Sequence, residues 1–213
     1  MAEEAVPSAV VFFSASLLDL YPWIWNVEYD FEDAYAAMGK KAVSESDSGA
    51  KIGILFQENF MRGSNALKAF EHAVEAARGP DAVVAEILSA DSSQIDISGL
   101  AGRALEKLIS AKPQVLVLAM DDSWAAWLLA REARAKLGTT LKAVYADQTS
   151  WTKAGIGPRE SVAQGEIPGE SPFSLRLIAD QQKLARAAQG VVRSLGASRK
   201  VPRTTKVPLR LLR

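Results

Sequence analysis

The sequence contains no cysteine and a single histidine, His72. Without thiols there is no disulfide scaffold and no thiolate metal site. Their absence fits an oxidising compartment. His72 lies in a helical pattern beside Glu71, where a surface or packed residue is the plain reading, so neither a histidine triad nor a histidine metal site is supported. Neither sign of charge is in excess, since Lys+Arg and Asp+Glu both number 25. The whole chain therefore offers no electrostatic case for nucleic acid. No apolar run approaches the roughly 20 residues that span a bilayer, so no transmembrane segment is expected. The first five residues include Glu3 and Glu4. The apolar run from Val10 to Phe13 is too short for a secretory core of about 7–15 residues. The chain as written reads as soluble, with no signal peptide.

Signatures of catalysis are also missing. Gly53 sits inside an apolar run, and Arg62-Gly63-Ser64-Asn65 matches neither standard phosphate-loop spacing. No two carboxylates stand out as a dyad. The expectation is a protein that is not an enzyme and needs no cofactor.

What is present is a rhythm. Short apolar runs rich in β-branched residues occur at 51–56, 82–88, 114–119 and 141–146. Continuous runs of this kind suit strands buried on both faces, as parallel sheets require. Between them lie helical patterns. Ala66, Ala69, Phe70, Ala73 and Val74 form one, stopped by Gly79-Pro80. Leu100, Ala104, Leu105 and Leu108 form another before Pro113. Trp124, Trp127, Leu128 and Arg131 open a third, ended by Gly138. Strand–helix alternation implies βαβ units with right-handed crossovers. Residues 50–148 thus read as one complete Rossmann-like α/β lobe.

The flanks differ. Residues 10–14 and 24–29 are strand candidates, 32–43 a helix and 44–49 a polar linker. Residues 149–174 are rich in Gly, Pro and Ser and read as irregular. Residues 175–195 read as a helix and 207–212 as a last strand. The flanking strands have few partners, and two or three strands make a poor sheet alone. After Asp180 the chain has no acidic residue, while Lys and Arg recur. A basic tail of this kind can bind nucleic acid or anionic lipid. The favoured reading is a solvated helix face followed by a charged edge strand.

In an open α/β sheet, ligands bind beyond the carboxyl ends of the strands. Gln57, Glu58, Asn59, Phe60 and Arg62 follow the first strand of the lobe. Asp121, Asp122 and Ser123 follow the third. Asp147, Gln148 and Trp151 follow the fourth. Ser14, Ser16, Tyr21 and Trp23 follow the flanking strand. Carboxylates and amides accept bonds from hydroxyls and amines, and Trp stacks on sugars, bases or cations. The set suits an uncharged or cationic polar molecule. Plainer roles stand beside these. Asp121 or Asp122 fits a helix N-cap, Trp124 and Trp127 fit core packing, and Arg62 fits a solvated charge.

The order of elements resembles the type I periplasmic binding proteins, whose fold is shared by lactose-repressor-like effector domains. Asp30-Phe31 through Gly39 is similar to the helix by which that family enters its second lobe. Lys51 to Phe56 with Ala69-Phe70-Glu-His-Ala73, Asp121-Asp122-Ser-Trp-Ala125, and Ala143-Val-Tyr-Ala-Asp147 are similar to its successive strands and turns. Asp180 to Ala188 and Lys206 to Leu212 are similar to its returning helix and last strand. The match runs from about residue 9 onward. About three strands of the family's first lobe have no counterpart, and Ala66 stands where many sugar-binding members have Arg. The resemblance implies a partial first lobe at 9–31, a complete lobe at 32–148, and a return to the first lobe at 149–213. It implies a small polar ligand held in the cleft between two lobes by Ser14, Tyr21, Trp23, Asn59, Arg62, Asp121, Asp122, Asp147 and Trp151. It implies an ABC-type uptake system, a permease partner and a periplasmic or lipoprotein-like extracytoplasmic location. The alternative is the effector-sensing domain of a lactose-repressor-like regulator.

Overall fold

The apolar runs become strands because both their faces are covered, and the computed structural model shows this over residues 8–10, 24–58, 62–88, 97–149 and 171–213. The chain divides into two units, Met1–Phe31 with Ala179–Leu209, and Glu32–Ile178 with Arg210–Arg213.

The larger unit is built on a six-stranded sheet. Its strands are β3 (Ile52–Gln57), β4 (Val83–Leu88), β5 (Val115–Ala119), β6 (Ala143–Asp147), β7 (Leu175–Ile178) and β9 (Arg210–Leu212), in the order β4-β3-β5-β6-β7-β9. All pairs are parallel except β7 with β9. Every residue of β3, β5 and β6 is buried, as the continuous apolar runs require. Residues alternate between faces. Leu55, Leu116, Leu118, Val144 and Ala146 join Leu105, Leu108, Trp127 and Ala130 from α3 (Ile97–Ser110) and α4 (Ser123–Leu137) in one apolar core. On the other face Phe56 meets the ring of Tyr35 edge-on at 5.8 Å. Tyr35 belongs to α1 (Phe31–Glu45), whose buried residues Ala34, Tyr35, Met38 and Ala42 recur at helical spacing.

Helix α2 (Gly63–Arg78) packs tightly on α1. A Cβ on Gly39 would lie 2.8 Å from the Phe70 carbonyl oxygen and 3.2 Å from Ala73 Cβ. Arg78 closes the end of α1. Its guanidinium donates to the carbonyls of Val43 at 2.7 Å and Ser46 at 2.8 Å, and to that of Asp47. These bonds satisfy carbonyls that have no partner within the helix.

The smaller unit holds a parallel sheet ordered β1 (Ser8–Val10), β2 (Ile24–Tyr29), β8 (Thr204–Val207), with α5 (Gln181–Gly196). Leu184 and Val191 are the buried residues of α5. Strand β1 covers residue 10 of the expected strand at 10–14, whose remaining residues lie outside the described ones.

Two expectations need correction. Residues 175–195 are not one helix. Leu175 and Leu177 are buried in alternation with Arg176 and Ile178, so the segment begins as strand β7, and α5 starts only after Asp180, whose carboxylate accepts the Lys183 N–H at 3.0 Å. The last strand is also two. Residues 204–207 pair parallel with β2, and 210–212 pair antiparallel with β7. Pro208 between them has no N–H to give a ladder. The basic tail is in part paired. Lys206 reaches Glu28 at 3.3 Å, and Arg213 reaches Glu45 at 3.3 Å. Among the described residues no helix is long and apolar enough to cross a membrane.

Candidate functional site

In the six-stranded sheet the chain runs from β3 outward to β4, then returns to the other side of β3 as β5. The connections that leave β3 and β5 therefore diverge, and it is at such a divergence that open α/β sheets hold their ligands. Gln57 ends β3, Asp121 follows β5, Asp147 ends β6, and Arg62 precedes α2. The structure brings these four together.

Asp147 is the anchor. It is 0% exposed and ionically paired with Arg62, whose side chain is 1% exposed. Oδ2 accepts from Arg62 Nε at 2.6 Å and from the Tyr35 hydroxyl at 2.7 Å. Oδ1 accepts from the N–H of Thr149 at 2.9 Å and its hydroxyl at 2.5 Å. A carboxylate has about four acceptor positions, and all four are used inside the protein. Burial opposes a charge on Arg62, but the Asp147 carboxylate, with Tyr35 and Asp121, holds its pKa above the ordinary range. Burial and the Asp147 carboxylate keep Tyr35 protonated well above its usual range, so it serves as a donor.

Arg62 is thus no solvated charge. Its Nη1 pairs with Asp121 Oδ1 at 2.9 Å and donates to the Gln57 carbonyl at 3.4 Å. Asp121 keeps 32% of its side chain exposed, so the charge chain Asp147–Arg62–Asp121 runs from full burial to solvent. Gln57 ties the end of β3 to the turn after β5, its Oε1 accepting the Asp121 N–H at 3.0 Å.

The neighbouring Asp122 builds the helix. Its Oδ1 accepts the N–H groups of Trp124 at 2.9 Å and Ala125 at 3.0 Å, capping α4. Trp127 is buried and stacks on Trp124 at 5.5 Å, with Arg131 over its ring at 4.8 Å. These tryptophans pack the α3–α4 layer, and Trp124 is partly buried against it. His72 is exposed on α2. Ser14, Tyr21, Trp23, Asn59 and Trp151 lie outside the described residues, as do Ser16 and Phe60. Sequence reasoning gave no role to Tyr35 or Thr149. A tyrosine on the apolar stripe of α1 was the available signal, because a buried hydroxyl needs a partner.

No protein-family model and no curated protein sequence matches the chain. Solved structures do. The Caulobacter myo-inositol binding protein bound to myo-inositol is 14% identical, with a TM-score of 0.65 over 99% of this chain and 74% of that one. The Escherichia coli transcriptional repressor ascG is 11% identical, with a TM-score of 0.60 over 99% of this chain and 77% of that one. A sugar transporter from Clostridium phytofermentans is 15% identical, with a TM-score of 0.54 over 88% of this chain and 61% of that one. The chain has the fold of the type I periplasmic binding proteins, which binding proteins and transcription regulators share. It spans 61–64% of the length of several structures that it matches.

Proposed function

We propose that this protein binds a small polar solute, without transforming it, at the carboxyl edge of the six-stranded sheet. The observation that carries the reading is the partly exposed Asp121 carboxylate backed by a buried guanidinium. Asp147 and Arg62 neutralise each other, so Asp121 leaves the cluster with one net negative charge. That balance suits an uncharged hydroxyl-bearing or cationic solute and disfavours an anion. In this reading Asp121 contacts the solute, Arg62 and Gln57 orient Asp121, and Asp147 holds Arg62. Asn59 and Trp151 complete the set of proposed contacts from this unit, with Asp122 beside Asp121.

Our setting for this binding is solute uptake of the ABC type, outside the cytoplasm and with a permease as partner. Two solved structures with this fold, the sugar transporter and the myo-inositol binding protein, support it. The second setting, an effector-sensing domain of a regulator, is supported by the ascG repressor, 77% of whose length the chain covers. Fractionation of the native cells separates them, since an extracytoplasmic protein fits uptake and a cytoplasmic one fits regulation.

Binding itself is tested by thermal shift and calorimetry with hexoses, myo-inositol, nucleosides, amino acids and polyamines. A solute that binds only the folded protein raises Tm by mass action. The expected result is a shift with one uncharged or cationic class, lost in Asp121→Ala. A cooperative, well-folded protein that no class shifts would overturn the reading.

A further inference from the structure

We propose that Tyr35 is a positioning residue of this site, whose hydroxyl on Asp147 decides which edge of the Arg62 guanidinium turns toward Asp121. The inference rests on the binding reading above and adds to it how the binding group is held.

An arginine beside a carboxylate favours a fork of two parallel bonds to both oxygens. Here Thr149 holds Oδ1 of Asp147 with both its N–H and its hydroxyl. Oδ2 is left for the guanidinium, and Arg62 reaches it through Nε at 2.6 Å. The Tyr35 hydroxyl shares that oxygen at 2.7 Å. With the carboxylate filled from two sides, Nη1 is turned outward to Asp121 Oδ1 and the Gln57 carbonyl. Tyr35 is well fixed for this task. It is fully buried, and its ring meets Phe56 of β3 edge-on at 5.8 Å. Its bond to Asp147 ties α1 to the end of β6 across 112 residues of chain. Without the hydroxyl, the second acceptor direction of Oδ2 opens. The guanidinium is then free to bring a second N–H onto Oδ2 beside Nε, which turns it away from Asp121.

The test reads Arg62 directly. Its buried, hydrogen-bonded Nε–H gives an arginine side-chain resonance in a proton–nitrogen correlation spectrum, assigned by its loss in Arg62→Lys. In Tyr35→Phe this resonance is expected to move, and its exchange with solvent to quicken about ten-fold or more, the scale of one hydrogen bond to a charged group. Thr149→Val, which frees a position on Oδ1 while keeping the N–H, is expected to move the same resonance and serves if Tyr35→Phe does not fold. Tyr145→Phe is the control. It removes a hydroxyl bonded at 2.6 Å to Glu45 in the same unit, so it carries a similar structural loss without touching Asp147. An Arg62 resonance unchanged in position and exchange rate in the folded Tyr35→Phe protein would overturn the proposal, as would equal changes in Tyr145→Phe. No solute is present in this experiment. A flat solute screen would therefore sink the binding reading and leave this result standing.

Discussion

Replacing Arg62 by methionine tests whether the buried charge chain organises the sheet edge. The change keeps an unbranched apolar side chain and removes the guanidinium. Asp147, 0% exposed, then retains Tyr35 and Thr149 as donors but loses its counter-charge. Breaking a buried pair from one side costs about 3–5 kcal/mol, because a charge is left in a poorly solvating interior. For a chain of this size, each kcal/mol moves Tm by roughly 2–4 °C, so a fall of about 6–20 °C is expected. The companion variant Arg62→Met with Asp147→Asn removes both charges. Its amide oxygen still accepts from Thr149, and its NH2 donates toward the Tyr35 oxygen. It should recover at least half of the loss. Urea unfolding, followed by near-UV circular dichroism that includes the stacked Trp124–Trp127 pair, measures both. A second probe is needed because a chain of two units need not unfold in one step. If the single variant lies within about 0.5 kcal/mol of wild type, the ordinary spread of surface substitutions, Arg62 is not paired in the interior. If the double variant is no better than the single one, the orphaned carboxylate is not the source of the cost.

Three further outcomes follow from other contacts. Gly39→Ala should destabilise by about 1 kcal/mol in urea, and by at most about 2, because overpacking against backbone costs about 1–3 kcal/mol and the helix preference of alanine returns about 1 kcal/mol of it. The obstacle is the Phe70 carbonyl oxygen at 2.8 Å, which can move only if α2 moves. Asp122→Ala should cost about 1 kcal/mol by loss of the α4 cap, while Asp122→Asn should cost far less; equal losses would show that its charge rather than its cap matters. The third concerns acid. Burial alone would raise the pKa of Glu45, but the Tyr145 hydroxyl, Lys41 and Arg213 hold it below the usual carboxylate value. A depressed folded pKa contributes stability above the unfolded value of about 4.5, and that stability is lost as pH falls through the lower folded value. Urea midpoints measured downward from pH 6 should therefore fall less steeply in Glu45→Gln than in wild type, and parallel curves would refute the assignment.

The contrast between what the amino-acid order announces and what it conceals follows from the range of the interactions involved. Strands β3, β5 and β6 are legible because burial on both faces writes an unbroken apolar run into each, which is a local pattern. Strand β7 is not. Leu175 and Ile178 also fit the helical spacing that continues into α5, and only pairing with β6, at Tyr145 with Leu175, makes the segment extended. Pro208 marks the division of the last strand, but Val207, Leu209 and Leu211 alternate across it as one continuous strand would. The site divides in the same way. Asp121 and Asp147 are legible as candidates because they follow strands, and position after a strand is local. Arg62 is legible as a candidate after a strand but fits a solvated charge as well, because its partner is 85 residues away, and Tyr35 reads as core because its partner is 112 away. A charge or hydroxyl tells little about its own burial, since burial is tolerable only once a distant partner has been supplied. The groups hardest to see in the sequence are therefore the ones whose removal should reveal most about the site. Their position depends on the folded sheet, whereas the Asp122 cap depends on a turn that the local sequence already specifies.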